Sequence, residues 1–176
     1  RKQVLILSDL MDALFDVSHM QIGKLKFNYE KVNLSQLIID SCQSYEAIFK
    51  EAGVDVETTI QPNVYGIWDK SRLEQVFTNL ISNVIKYAPG KPLKITLSSD
   101  SNKAQLSVQD FGPGIPKEKQ ERIFDRFERA ASPSVSGLGL GLYISRQIIE
   151  THGGKIDLMS ENGKGTTFTI TLPLGG

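Results

Sequence analysis

Two apolar periods alternate along this chain, and their order leaves few architectures open. Apolar residues recur every three to four positions over residues 1–20, Asn33–Ala52, Lys70–Ala88 and 138–152, the spacing of one helical face. Between them lie period-two or apolar runs bounded by Gly, Pro, Asn and Asp, which read as strands. These are "KLKFNYEKV", "VDVETTI", "VYGIWD", "LKITLSS", "AQLSVQD", "KIDLMS" and "TTFTITL". The spacing predicts three antiparallel pairs: 54–60 with 64–69 across Pro62-Asn63, 93–99 with 104–110 across Asp100-Ser101-Asn102, and 155–160 with 166–172 across "ENGKG". Strand pairs mixed with three amphipathic helices predict an α+β sandwich, one mixed sheet with the helices on one face.

The first helical stretch stands apart. Val4, Leu7, Met11 and Leu14, widened by Leu10 and Phe15, suit a bundle or coiled-coil helix, and Gly23 is its stop signal. The expected division is a helical remnant over 1–23 and a domain over 24–176; a helix packed on its own domain gives the same period. The chain opens on Arg1, which reads as a piece of something longer, with room for a membrane anchor upstream. No run here has the length of a membrane span.

Composition narrows the function. Lys and Arg together number 20, as do Asp and Glu, so net charge is zero and nothing recommends nucleic acid or an anionic membrane as partner. The single cysteine, Cys42, excludes an internal disulfide and a cysteine metal site, which fits a reducing, cytoplasmic setting.

The helix over Lys70–Ala88 carries the first candidate site. Leu73, Val76, Phe77, Leu80, Ile81 and Val84 cluster on one side, while Gln75, Asn79, Asn83 and Lys86 form a separate stripe. A solvated face is the plain alternative, but such faces favour Glu, Lys and Arg, and Asn is a poor mid-helix residue. Amide oxygens ligate Mg²⁺ without adding negative charge beside phosphates, and a lysine offers those phosphates a point charge.

In "LSVQDFGPGIP", Asp110 shares strand parity with Leu106 and Val108, which turns its carboxylate toward the core face. A buried carboxylate needs a donor, and a planar amine such as the adenine 6-amino group supplies one. Gly112 and Gly114 allow close backbone approach. A capped turn after the strand is the alternative. Further on, Gly137, Gly139 and Gly141 lead directly into a helix, where free N–H groups and the helix dipole favour an anion. The run matches neither common phosphate-loop pattern, and a hinge is the alternative. Between these, Phe124 and Phe127 are candidates to clamp a movable segment. Arg122, Arg126 and Arg129 are candidates for phosphate contacts, although a surface helix accounts for any one of them.

In this order and spacing, N-L-x-x-N-x-x-K-Y from Asn79, D-x-G-x-G-I from Asp110, F-x-x-F from Phe124, G-x-G-x-G from Gly137 and G-T-x-F from Gly165 resemble the ATP-binding catalytic domain of sensor histidine kinases. The resemblance covers about residues 24–174 and implies the Bergerat-type α/β sandwich. Residues 1–23 resemble the end of the preceding dimerisation helix.

The resemblance implies Mg²⁺ on Asn83 with Asn79 beside it, and Lys86 and Tyr87 toward phosphate and sugar. It implies Asp110 on the adenine amine, with Gly112, Gly114 and Ile115 shaping that pocket. Phe124 and Phe127 are the F box, and Arg126 or Arg129 approaches the γ-phosphate. The backbone of Gly137, Leu138, Gly139, Leu140, Gly141 and Leu142 faces the phosphates. Thr166 or Thr167 stands near Asp110 and an adenine-bound water.

Two departures bear on activity. Related ATPases of the wider superfamily carry a catalytic glutamate four residues before the first asparagine; here that position is Gln75, which is no general base. Leu138 also stands where the family often has Thr. Neither His19, followed by Met20, nor His152 in "ETHGG" matches the phosphoacceptor motif; His19 reads as a surface histidine and His152 as a helix-ending residue suited to the dipole. The expected function is therefore the Mg²⁺-ATP-dependent kinase core that phosphorylates a histidine on a dimerisation helix supplied elsewhere, for relay to a response regulator aspartate. Expected partners are the dimerisation and phosphoacceptor domain of the same protein and a receiver domain, with a homodimeric parent and a monomer as the alternative for this piece. The rivals are a hydrolysing ATPase of the same superfamily and a degenerate nucleotide-binding module.

Overall fold

The computed structural model describes residues 26–128 and 139–175. The helix expected over residues 1–23, with the domain boundary there, lies outside them.

Strand β1 (Glu30–Asn33) leads into helices α1 (Leu34–Ser44) and α2 (Glu46–Ala52), then β2 (Val56–Ile60), β3 (Tyr65–Trp68) and helix α3 (Lys70–Tyr87). Strands β4 (Leu93–Ser99) and β5 (Lys103–Asp110) follow, then the single turn α4 (Lys117–Gln120), helix α5 (Gly141–Thr151), and strands β6 (Lys155–Glu161) and β7 (Gly165–Pro173). The main sheet has the order β2-β4-β5-β7-β6, with β2 parallel to β4 and every other pair antiparallel. It is the mixed sheet of an α+β sandwich.

The sheet is covered on one face. Leu93, Ile95 and Leu97 of β4, Ala104, Leu106 and Val108 of β5, and Phe168, Ile170 and Leu172 of β7 are buried, while their alternating neighbours are more open. Against this face α3 lays Leu73, Val76, Phe77, Leu80, Ile81 and Val84, and α1 contributes Leu34, Leu37 and Ile38. Helix α5 adds Ile144, Ile148 and Ile149. Full burial of such a side chain contributes roughly 1.5–3 kcal/mol.

Two expectations are corrected. The segments 54–60 and 64–69 do not pair. β3 pairs with β1 in a separate two-stranded ribbon, and β2 joins the edge of the main sheet. The turn between them is anchored by α1 instead: Ser35 Oγ donates to Gln61 O at 2.7 Å and accepts from Val64 N at 3.0 Å. Asn63 takes a positive φ of 58° in this turn, a conformation asparagine tolerates better than most residues. Gln61 N then continues the parallel pairing by donating to Leu97 O.

The expected single helix over Asn33–Ala52 is two helices, broken at Tyr45 (φ −96°, ψ 0°). Ser41 Oγ and Ser44 Oγ donate to the carbonyls of Leu37 and Asp40, back-bonding that weakens the helical ladder just before the break. The break turns Phe49 into the core. Gly53 then closes α2 in the left-handed conformation, as its position predicts.

Candidate functional site

Helix α3 begins at Asp69, whose side chain caps it by accepting from Arg72 N at 3.0 Å. That cap orients the polar stripe. Gln75, Asn79 and Asn83 are half-buried, Lys86 is exposed and Tyr87 is half-buried. Gln75 Oε1 accepts from the Arg72 guanidinium at 2.9 Å. Asn79 Nδ2 donates to Gly141 O and to Ser145 Oγ, both at 3.2 Å, so Asn79 ties α3 to the first turn of α5. With both amide protons committed, Asn79 Oδ1 remains an acceptor.

The N-terminus of α5 carries no side-chain cap and no acidic residue in its first turn. Its first N–H groups and the positive end of its dipole lie beside Asn79, the electrostatics an anion requires. Gly141 leaves room there: a Cβ on it would sit 3.5 Å from Asn79 Cγ. Leu140 is buried and Leu142 half-buried. Gly139 has φ 71°, and a Cβ on it would meet Glu128 O at 2.4 Å, so the approach to α5 packs against the aromatic segment.

That segment places its two phenylalanines differently. Phe124 is buried edge-to-face on Phe168, with Arg146 of α5 over its ring. Phe127 is 58% exposed and held at φ 63°, a conformation bulky residues rarely adopt, with its N–H donating to Gly139 O. Arg126 donates to Tyr143 Oη at 2.8 Å and stacks over that ring, while Arg122 pairs with Glu128. Arg129, Gly137 and Leu138 lie outside the described residues.

Asp110 ends β5 half-buried. Its Oδ1 accepts from Gly112 N at 2.8 Å, and the backbone of Thr166 on the facing strand also favours its charged form. Burial nonetheless pushes the carboxyl above its ordinary range, because the neighbouring backbone of Gly112 and Thr166 offsets only part of the lost hydration. The glycines around it are structural necessities: a Cβ on Gly112 would meet Ala88 Cβ at 2.6 Å, and one on Gly114 (φ 72°) would meet Glu161 O at 2.1 Å. Ile115 is buried beside them. Thr166 stands opposite Asp110 on the covered face, whereas Thr167 stands opposite Gln109 on the other.

Sequence reasoning missed several residues. Ser160 and Gln120 hold Ile115, and Tyr143 holds Arg126. Ser160 was open to discovery by parity, since it shares the inward face of β6 with Ile156 and Leu158. His152 corrects an expectation. It is buried and neutral in character, its Nδ1 bonded to Ile148 O and its Nε2 accepting from Asp69 N, and burial lowers its pKa. It joins α5 to α3 rather than placing a charge on a dipole.

A one-face-covered mixed sheet, with a half-buried carboxylate at a strand end and an open helix N-terminus beside an asparagine stripe, has known counterparts. The chain belongs to the histidine kinase-, DNA gyrase B-, and HSP90-like ATPase family, whose model matches residues 68–176. Within that family it belongs with the catalytic domains of sensor histidine kinases. It is 39% identical to the adaptive-response sensory kinase SasA of Prochlorococcus marinus over 84% of this chain and 40% of that protein. Among solved structures, Acinetobacter baumannii histidine kinase AdeS matches with a TM-score of 0.83 and 28% identity, over 99% of this chain and 82% of that one. The catalytic domain of histidine kinase ThkA matches at 0.75 and 31%, over 85% and 97%. ThkA in complex with the response regulator protein TrrA matches at 0.74 and 28%, over 97% and 49%. The chain spans less than half the length of the SasA relatives it matches.

Proposed function

We propose that this chain binds Mg²⁺-ATP between α3, the Asp110–Ile115 segment and the N-terminus of α5, and passes the γ-phosphoryl group to a histidine on a dimerisation helix. The observation that carries this reading is Asp110: a carboxylate half-buried at a strand end, with its burial only partly compensated, asks for an amine donor from a ligand. Facing that need, the open start of α5 and the Asn79–Asn83–Lys86 stripe suit the phosphates.

The residues fit a magnesium ion carried in with the nucleotide. Among the described residues no group of three His, Cys, Asp or Glu is able to hold a metal, so a hard cation would rest on Asn83, with Asn79 supporting it, and on the nucleotide's own oxygens. When bound, the ion would neutralise phosphate charge. Adenine would lie on Asp110, Gly112, Gly114, Ile115 and Thr166, with Thr167 turned away, and Tyr87 toward the sugar. Lys86 and Arg126, with Arg129, would supply positive charge at the γ-phosphate. Phe124 and Phe127 would hold the aromatic wall, and the backbone from Gly137 through Leu138, Gly139, Leu140 and Gly141 to Leu142 would face the phosphates. Positioning and charge stabilisation then account for most of the rate, as in other phosphoryl transfers.

Gln75, already engaged by Arg72, leaves no carboxylate to activate water, which favours transfer over hydrolysis. The acceptor helix, a receiver domain downstream, a homodimeric parent and a cytoplasmic location complete the reading, with residues 1–23 as the end of that helix and 24–176 as the catalytic domain. No helix among the described residues is long and apolar enough to cross a membrane. The test is a titration with a non-hydrolysable ATP analogue with and without Mg²⁺, then incubation with a separately prepared acceptor domain. Acid-labile phosphate on the acceptor is the expected result. Absence of nucleotide binding overturns the reading, and steady ATP hydrolysis without transfer turns it to an ATPase.

A further inference from the structure

Tyr143 and Arg126 meet at the start of α5. Arg126 Nη2 donates to Tyr143 Oη at 2.8 Å, and its Cζ lies 4.8 Å from the centroid of the same ring. A hydrogen bond at the ring's oxygen and stacking over its face together fix both the place and the plane of the guanidinium fork. Both ends of the contact are anchored. Tyr143 is half-buried in the first turn of α5, between Gly141 and Ser145, the two residues that Asn79 of α3 bonds. Phe127, next to Arg126 in the chain, donates its N–H to Gly139 O at 3.0 Å.

Arg126 differs from its neighbours in its partner. Arg122, four residues earlier, pairs with Glu128, and Arg146 on α5 pairs with Glu150. Among the described residues Arg126 has no carboxylate partner, and a neutral phenol holds it. A carboxylate there would cancel the charge and compete with a phosphate for it. A phenol orients the cation and leaves it un-neutralised. The guanidinium also sits beside the positive end of the α5 dipole, where a cation is unfavourable until an anion arrives.

We propose that Tyr143 is a positioning residue for phosphoryl transfer: it holds the Arg126 guanidinium, un-neutralised, beside the first turn of α5, where the transferred phosphoryl group meets it. The proposal rests on the nucleotide reading above. In that transfer the bond from the γ-phosphorus to its bridging oxygen breaks, and ADP keeps the electron pair. The unprotonated nitrogen of the acceptor imidazole forms the new P–N bond, and its other nitrogen releases its proton to a base on the acceptor domain. Arg126 meets the charge on the oxygens in flight, and Tyr143 spares it the search for its place at that moment.

The test is single-turnover transfer from saturating Mg²⁺-ATP to a separately prepared acceptor domain, with ADP affinity measured alongside. Tyr143→Phe keeps the stacking ring and removes the hydrogen bond. It should slow transfer about fivefold, the size of one such bond, with ADP affinity and melting temperature unchanged. Tyr143→Leu, which removes the ring as well, should slow transfer further, toward the level of Arg126→Ala. In the Arg126→Ala background, Tyr143→Phe should add no further loss, because the residue acts through Arg126. An equal loss in both backgrounds would mean a purely structural role and overturns the proposal, as does a parallel loss of ADP affinity. Faster transfer in Tyr143→Phe overturns it too, since the tyrosine then sequesters the arginine. Tyr143→Phe and its double variant decide the matter whether or not Tyr143→Leu folds. No transfer by the original chain overturns the kinase reading itself, while transfer that Tyr143→Phe leaves unchanged overturns only the role of Tyr143.

Discussion

The backbone N–H of Asp69 donates to Nε2 of His152 at 2.9 Å, so the residue that caps the start of α3 is bonded to the residue that closes α5. Nδ1 of the same ring lies 2.8 Å from Ile148 O and must carry the proton, which leaves Nε2 free to accept. Phe27 and Tyr29 pack against the imidazole edge-on, and Asn28 N donates to Asp69 Oδ2. One neutral histidine thus ties together the two helices that border the candidate site and the segment leading into the domain.

Stability should therefore fall in mild acid. The folded pKa of His152 lies below its ordinary value of 6.5, chiefly through burial, so below pH 6.5 the unfolded chain takes up a proton that the folded chain resists. The contribution is present above that pH and is lost as pH falls through 6.5 toward the folded pKa. Denaturant midpoints measured from pH 8 to pH 5 should decline, and His152→Ala should flatten that decline while lowering stability at pH 8 by about 1–3 kcal/mol. An unaltered slope in the variant counts against this account.

Asp110 should trade stability for binding. Its carboxyl is raised, so its favourable contribution to folding exists below the ordinary value of 3.8 and is lost as pH rises through the folded pKa. At neutral pH the ionised form is held at a cost. Asp110→Asn keeps an acceptor for Gly112 N and removes the charge. The expected result is a small rise in melting temperature in the absence of ligand, together with loss of ADP binding by calorimetry.

The glycine at 114 should tolerate nothing larger. With φ 72° and Glu161 O 2.1 Å from the place a Cβ would occupy, Gly114→Ala is strained by both conformation and contact. Unfolding should show a loss greater than about 1 kcal/mol. Gly90, also at positive φ but with nothing within 4 Å, is the control: Gly90→Ala should cost less.

Arg126 should matter for transfer and little for folding. It is exposed and, among the described residues, held by Tyr143, a contact worth no more than about 1 kcal/mol. Arg126→Ala should leave the melting temperature and ADP affinity near those of the original. Phosphoryl transfer to a separate acceptor domain should fall at least about tenfold, as removing a charge aimed at a transition state does. Equal losses in binding and transfer would place Arg126 in ground-state recognition instead.

Local pattern made much of this fold legible. The Pro89-Gly90 stop, the β4–β5 and β6–β7 hairpins and the inward set on α3 all follow from period and turn chemistry within a few residues. The candidate segments were legible for the same reason: Asp110 shows its inward parity and Gly112 and Gly114 their spacing without any partner in view. What the pattern does not contain is the partner. Period two says which face of β2 carries Val56 and Ile60, both only partly buried, but not that β4, rather than β3, lies beside it. That was decided by Ser35 bonding to Gln61 and Val64 from a helix about 26 residues away in sequence.

The sequence by itself determined most of the elements, the covered face and the residue types available to a nucleotide site, because backbone period and turn conformation are local properties. Only the tertiary structure decided which strand pairs with which. It alone chose Thr166 over Thr167 as the neighbour of Asp110, made His152 a neutral acceptor rather than a charge, and brought Ser160 to the hydroxyl of Thr166. Each of those outcomes is a hydrogen bond between residues on different elements. The direction of its proton is set by every other group within reach, and that list exists only once the chain has folded.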